Sequence, residues 1–299
     1  MRTTFFNQKL SSKIFDVIVW IIMLWVLFVT LFPFLNVIAL AFNHSNDTAI
    51  GGVGIWPRQF TFDNFRELTR FPLLFTGFYI SSLRTIIGTA VGLVCTSMLA
   101  YVISRQDFMF RKFVTSLFLL TMYVSGGLIP SFMVIRMFGL NNSFWVYIIP
   151  AMISAWNLII IRSFIDTLPY SLQESAFLDG ANDFQIYYKI ILPLCKPVLA
   201  TVALFIAVAQ WNSWFDTFLF APFNDSITTL QYELMKILEG TNAAGGQLGN
   251  AGNLLMTRNV SPLSIRMAIT IVTILPILCV YPFVQKYFVT GMTLGAEKG

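Results

Sequence analysis

Six long apolar runs leave this chain little choice of fold. About twenty apolar residues carry a helix across the hydrocarbon core of a bilayer. Runs of that length are expected to span at Ile14–Phe42, Tyr79–Ser104, Phe113–Phe138, Phe144–Ile165, Pro197–Phe220 and Ser264–Phe288. In lipid a backbone must satisfy its own hydrogen bonds, so each run reads as a helix, the first bent by Pro33. Charged residues are 11% of the 299, against about 25% in a soluble domain. The sequence therefore predicts an all-α membrane protein with six transmembrane helices, which returns both termini to one side.

The positive-inside rule selects that side. Arg2, Lys9, Lys13, Arg105, Arg111, Lys112, Arg162, Lys189, Lys196, Lys286 and Lys298 fall on the face holding the termini. Arg58, Arg66, Arg70, Arg136, Lys236, Arg258 and Arg266 fall opposite, mostly in two long loops that weigh less. Both termini are thus expected in the cytoplasm: residues 1–13 before the membrane domain 14–288, and 289–299 after it. The basic N-terminus precedes an apolar run too long for a signal-peptide core, so it reads as a retained span. The net charge of +5 comes from this bias and gives no argument for nucleic acid. Cys95, Cys195 and Cys279 form no disulfide or metal pattern.

The same face carries one long polar interruption, residues 167–196. Ser171 and Glu174 have capping-box spacing, predicting a short helix from Leu172. Gly180 fits a left-handed stop. Asn182 and Gln185 repeat the cap. Phe184, Tyr187, Tyr188 and Ile191 then fall at i, i+3, i+4 and i+7, one helical face, ending at Pro193 and Pro197. With nothing nearby to bury either helix, the pair reads as a docking element.

Elsewhere the polar signals are few. Gln210-Trp211-Asn212-Ser213-Trp214-Phe215-Asp216 mixes hydrogen-bonding groups with flat aromatic faces, as a sugar pathway needs; an aromatic belt with interhelical hydrogen bonds fits equally. Tyr123 and Ser125, before Gly126-Gly127, are further pathway candidates on a span that two glycines permit to pack closely or unwind. The outer loop 43–78 carries turn signals and an interfacial helix around Phe62, Phe65 and Leu68. His44, the only histidine, reads as a loop residue. The outer loop 221–263 predicts a helix over Thr229–Glu239, then a flexible glycine-rich stretch, Gly240–Asn253. No P-loop occurs, and one histidine with scattered acids builds no triad or metal cluster. The fourteen Asp and Glu lie in loops or near span ends, only Asp216 approaching the interior. An ion-driven carrier usually keeps ionisable groups mid-membrane.

Glu174-Ser175-Ala176, Asp179-Gly180-Ala181, Ile190 and Leu192-Pro193 resemble the EAA loop of ABC-importer permease subunits, with Ser175 replacing a more usual Ala. The tail Gln285–Gly299 resembles the ending of the maltose-permease-like, carbohydrate-uptake branch. Gly54-Ile-Trp-Pro-x-x-Phe-Thr61 is similar to the complex-oligosaccharide branch, and Gly240–Asn253 resembles a loop that enters the binding protein. The resemblance implies a type I importer permease fold and a multi-pass protein of the bacterial cell membrane. It implies a second homologous permease, two ATPase subunits holding ATP and Mg, an extracellular solute-binding protein, membrane lipid and an oligosaccharide substrate. No catalytic residue, metal or cofactor is expected on this chain. Glu174, Ser175, Ala176, Asp179, Gly180, Ala181, Phe184, Tyr187, Tyr188, Ile191 and Pro193 would couple to the ATPase. Gln210, Trp211, Asn212, Trp214, Tyr123 and Ser125 would line the pathway. The alternatives are an ion-coupled secondary sugar carrier and a non-transporting scaffold.

Overall fold

A computed structural model describes residues 10–242 and 261–296. Among these the regular structure is helical, apart from one isolated antiparallel bridge between Asn43 and Phe60. The chain divides into two units, Met1–Arg70 with Ile237–Thr273, and Phe71–Lys236 with Ile274–Gly299.

In the first unit α1, Leu10–Ala41, continues through Pro33. Its most apolar window buries none of its residues among those described. The outer loop that follows is folded by its own side chains. Asn43 is fully buried and bonds the Gln59 N–H, Asp47 and Thr48 at 2.8–3.0 Å. Asn64, on α3 (Asp63–Leu68), donates to the Ala41 and Asn43 carbonyls, both at 2.8 Å. Phe42 stacks on Phe60 and meets Phe65 at 4.8 Å. The helix expected around Phe65 is therefore a packed piece of a small polar-pinned cap. The Asn43 side chain beside it holds the Asp47 carboxyl below the ordinary aspartate value, with Arg58 adding to the effect. His44 sits at the start of α2, Ser45–Ile50.

The second unit is built on α4, Pro72–Ser104. Against it pack α7 (Ala155–Ile165) and α11 (Lys196–Asn212). Ile103, Leu158, Ile161, Val202 and Ile206 form part of one buried cluster between them. Gly88 makes the α4–α11 approach possible: a Cβ there would stand 2.8 Å from the Gln210 side chain.

Three expected spans differ from single rods. The third is α5 (Arg111–Tyr123) and α6 (Leu128–Met137), with Val124–Gly127 unwound between them. Adjacent glycines and Gly127 at φ +85° explain the break. The fourth is a 3₁₀ turn, Phe144–Tyr147, then irregular chain around Pro150, which lacks an N–H, before α7. The fifth stops at Asn212 and resumes as α12, Phe215–Phe220. Among the described residues three helices are long and apolar enough to cross a membrane, four if one bent pair counts as a span. The helix expected at 229–239 is α13, Leu230–Asn242. The glycine-rich stretch beyond it and the last three residues lie outside the described residues. The final helix, Pro262–Ala296, contains Pro276 and Pro282.

Candidate functional site

The polar interruption forms two short helices. The first, α8, is Ser171–Leu178. Its expected cap is absent: Tyr170 takes the N-cap position without a side-chain bond, and Ser171 lies inside the helix with its carbonyl accepting the Ser175 hydroxyl at 2.8 Å. The stop is as expected. Gly180 has φ +82°, the Gly180 N–H donates to Phe177 O and the Ala181 N–H to Ala176 O, both at 3.0 Å. These two bonds close a Schellman turn.

The second helix begins at Asp183 on a complete capping box. The Gln185 N–H donates to Asn182 Oδ1 at 2.8 Å, and the Asn182 N–H to Gln185 Oε1 at 3.0 Å. From Tyr187 to Ile191 the helix is π. This wider turn splits the expected stripe. Ile186, Tyr187 and Ile191 are buried, whereas Phe184 and Tyr188 are 64% and 63% exposed. Tyr187 also hydrogen-bonds Ser97 of α4 at 2.8 Å and packs on Tyr101. The expectation that nothing buries the pair is thus corrected. Gln173, Ala176, Ile186, Tyr187 and Ile191 seat it on its own unit, and Phe177, Leu178, Phe184 and Tyr188 remain outward. Glu174, Asp179 and Pro193 are exposed, and Ala181 is half-buried. At Cys195 the chain turns by 84° into α11.

Arg105, treated in the sequence only as a cytoplasmic charge, is a tether. It pairs with Asp107 at 2.9 Å and Asp183 at 3.3 Å, and reaches Gln173 at 3.5 Å. It thereby joins the end of α4 to both short helices. Its guanidinium holds the Asp107 carboxyl below the ordinary aspartate value.

A second polar group lies inside the unit, and acids alone did not reveal it. Arg84 of α4 is 2% exposed and binds Asp216 through both terminal nitrogens, at 3.2 and 2.5 Å. Arg84 Nε donates to Gln210 Oε1 at 3.0 Å, Gln210 Nε2 donates to Tyr147 O at 3.1 Å, and the guanidinium lies 4.5 Å from the Tyr147 ring centre. The argument from missing mid-span charge is therefore corrected: one arginine in an apolar run and Asp216 carry the signal. Of the pathway candidates, Gln210 is spent in this network. Trp211 is buried against Phe78, Asn212 is exposed and bonds Val208 O, and Trp214 packs on Phe215. Tyr123 and Ser125 are exposed at the α5–α6 break, away from the Gln210 network's contacts.

Comparison with known proteins gives this geometry a context. A permease protein of Bacillus subtilis (strain 168), the "Polygalacturonan/rhamnogalacturonan transport system permease protein YtcP", is 35% identical over 97% of this chain and 100% of its own. The "Arabinooligosaccharides transport system permease protein AraQ" of Halalkalibacterium halodurans is 28% identical over 98% of this chain and 100% of its own. The fold is similar, at TM-score 0.85 and 26% identity, to a chain in the crystal structure of a bacterial ABC transporter involved in the import of the acidic polysaccharide alginate. That likeness covers 94% of this chain and 99% of the other. Residues 88–294 match the family described as "Binding-protein-dependent transport system inner membrane component". On that match, and on the 35% identity over nearly its whole length, the chain belongs to the family of binding-protein-dependent transport system inner membrane components.

Proposed function

We infer that this chain is the permease subunit of an ATP-binding-cassette importer for an oligosaccharide delivered by an extracellular solute-binding protein. As a family member it is a transport component and not a catalytic chain. The oligosaccharide substrate is supported by the names of its relatives. In this reading the broken helices count as spans, making six, with both termini and the pair of short helices that follows Tyr170 on the cytoplasmic side of the cell membrane. A second permease shares the pathway. ATP and Mg stay on two partner ATPase subunits.

One observation carries the coupling role. The helix pair is anchored by Ile186, Tyr187 and Ile191 while Phe177, Leu178, Phe184 and Tyr188 point outward. Exposed apolar groups on a rigidly seated element mark a protein contact. Closure of the ATPases on ATP would push this pair, and the bend at Cys195 would pass the motion to α11. Leu178→Asp and Phe184→Asp are expected to abolish co-purification with the ATPases and sugar uptake while the chain still inserts. Undiminished capture of the ATPases by both variants would sink the reading.

The buried Arg84–Asp216 pair favours a second reading, an ion-coupled carrier. Gradient-driven sugar uptake by the purified chain alone in liposomes would establish it in place of the first.

A further inference from the structure

Between α4, α7 and α11 lies a cavity of about 310 Å³. Ligand sites begin at about 300 Å³, so its size suits one ring and not an oligosaccharide chain. Arg84, Gln210 and Asp216 line it with Asn157, and Ile206 and Ala209 supply apolar wall.

Asn157 is the independent sign of a ligand. It is 7% exposed, and its side-chain amide makes no hydrogen bond to any described residue. The amide lies on the cavity wall, so whatever fills the cavity supplies its hydrogen-bond partners. A carboxamide can donate twice and accept twice, the pairing a sugar hydroxyl needs. The charges beside it are already balanced. Arg84 directs its donors to Gln210, Ser213 O and Asp216. Four of its five N–H donors are thereby engaged, and Asp216 already balances its charge.

We propose that this cavity holds one pyranose ring of the passing oligosaccharide, read through its hydroxyls by the Asn157 amide and not through a sugar carboxylate by Arg84. The proposal rests on the importer reading above and adds a contact on this subunit. The ring sits with apolar C–H edges on Ile206 and Ala209 and with hydroxyls at Asn157 and the exposed edge of Asp216.

The test uses maltotriose and trigalacturonate as probes of the full chain in lipid nanodiscs, read by saturation-transfer NMR. Both sugars are expected to give a signal with the wild-type chain. Asn157→Leu, close in size, should weaken binding of both by about 2- to 10-fold, the range for one lost hydrogen bond. Ala209→Trp, which fills the cavity, should remove the signal while ATPase co-purification persists. An undiminished signal from Ala209→Trp overturns the proposal, and so does a signal from trigalacturonate alone. If Ala209→Trp does not reach the membrane, Asn157→Leu decides. Uptake by the assembled importer separates the two readings. Uptake with no sugar bound to this chain overturns the subsite and leaves the importer standing. An assembled wild-type importer that moves no carbohydrate overturns both.

Discussion

Arg84 and Asp216 are 132 positions apart, and the energy of their pair depends on burial more than on contact. Arg84 is 2% exposed and Asp216 21%. Removing one partner of a buried pair costs about 3–5 kcal/mol, because the other charge is left uncompensated. Asp216→Ala is expected near the lower end, about 3 kcal/mol, since Asp216 keeps some solvent. A thermal-melting series in detergent checks this, and exchanging the two residues should restore part of the loss. Arg105 presents the opposite case. Its partners Asp107 and Asp183 are 64% and 67% exposed, so its ion pairs contribute about 0–1 kcal/mol. Arg105→Ala should barely move the melting temperature, yet lower sugar-stimulated ATPase activity in the assembled importer, because it frees the helix pair from α4.

At the scale of elements, the proposed coupling role requires the helix pair to act as a lever with a rigid turn. Gly180 lies at φ +82° with open space where a Cβ would go. The cost of a side chain there is thus backbone strain and not a clash. Gly180→Val is expected to insert normally and to uncouple sugar uptake from ATP hydrolysis, as assayed in proteoliposomes. Gly88 is limited by space instead. A Cβ at 2.8 Å from Gln210 would push that amide off Arg84 and Tyr147. Overpacking of this kind costs about 1–3 kcal/mol. Gly88→Ala should therefore lower the melting temperature, and combining it with Asp216→Ala should be less than additive, since both act on one network.

Over the whole molecule, the exposed apolar surface sets the expectations. The α5–α6 break leaves non-helical backbone among exposed side chains from Tyr123 to Leu128. Lipid offers such backbone no hydrogen bonds, so partner protein or pathway water is expected to cover it. The six-span arrangement has its own test. A cysteine at Ser175 should react with a membrane-impermeant maleimide only from the cytoplasmic side, and one at Thr61 only from outside. Labelling of both from the same face would refute the arrangement.

The sequence by itself determined the membrane class, the Gly180 stop and the Asn182–Gln185 cap. Each depends on apolar run length or on hydrogen bonds closing within five residues, so local order suffices to read it. It misplaced the Ser171 cap because the helix begins one residue earlier, with the Tyr170 carbonyl accepting the Gln173 and Glu174 N–H groups. It also drew one stripe over Phe184–Ile191, where the seating of Tyr187 against Ser97 and Tyr101 accompanies a wider helical turn. The reach of Arg105 to Asp183 and the Arg84–Asp216 pair came only from the tertiary structure. Their partners are distant in sequence, and the desolvation that gives a buried charge its meaning exists only once α4, α7 and α11 have met.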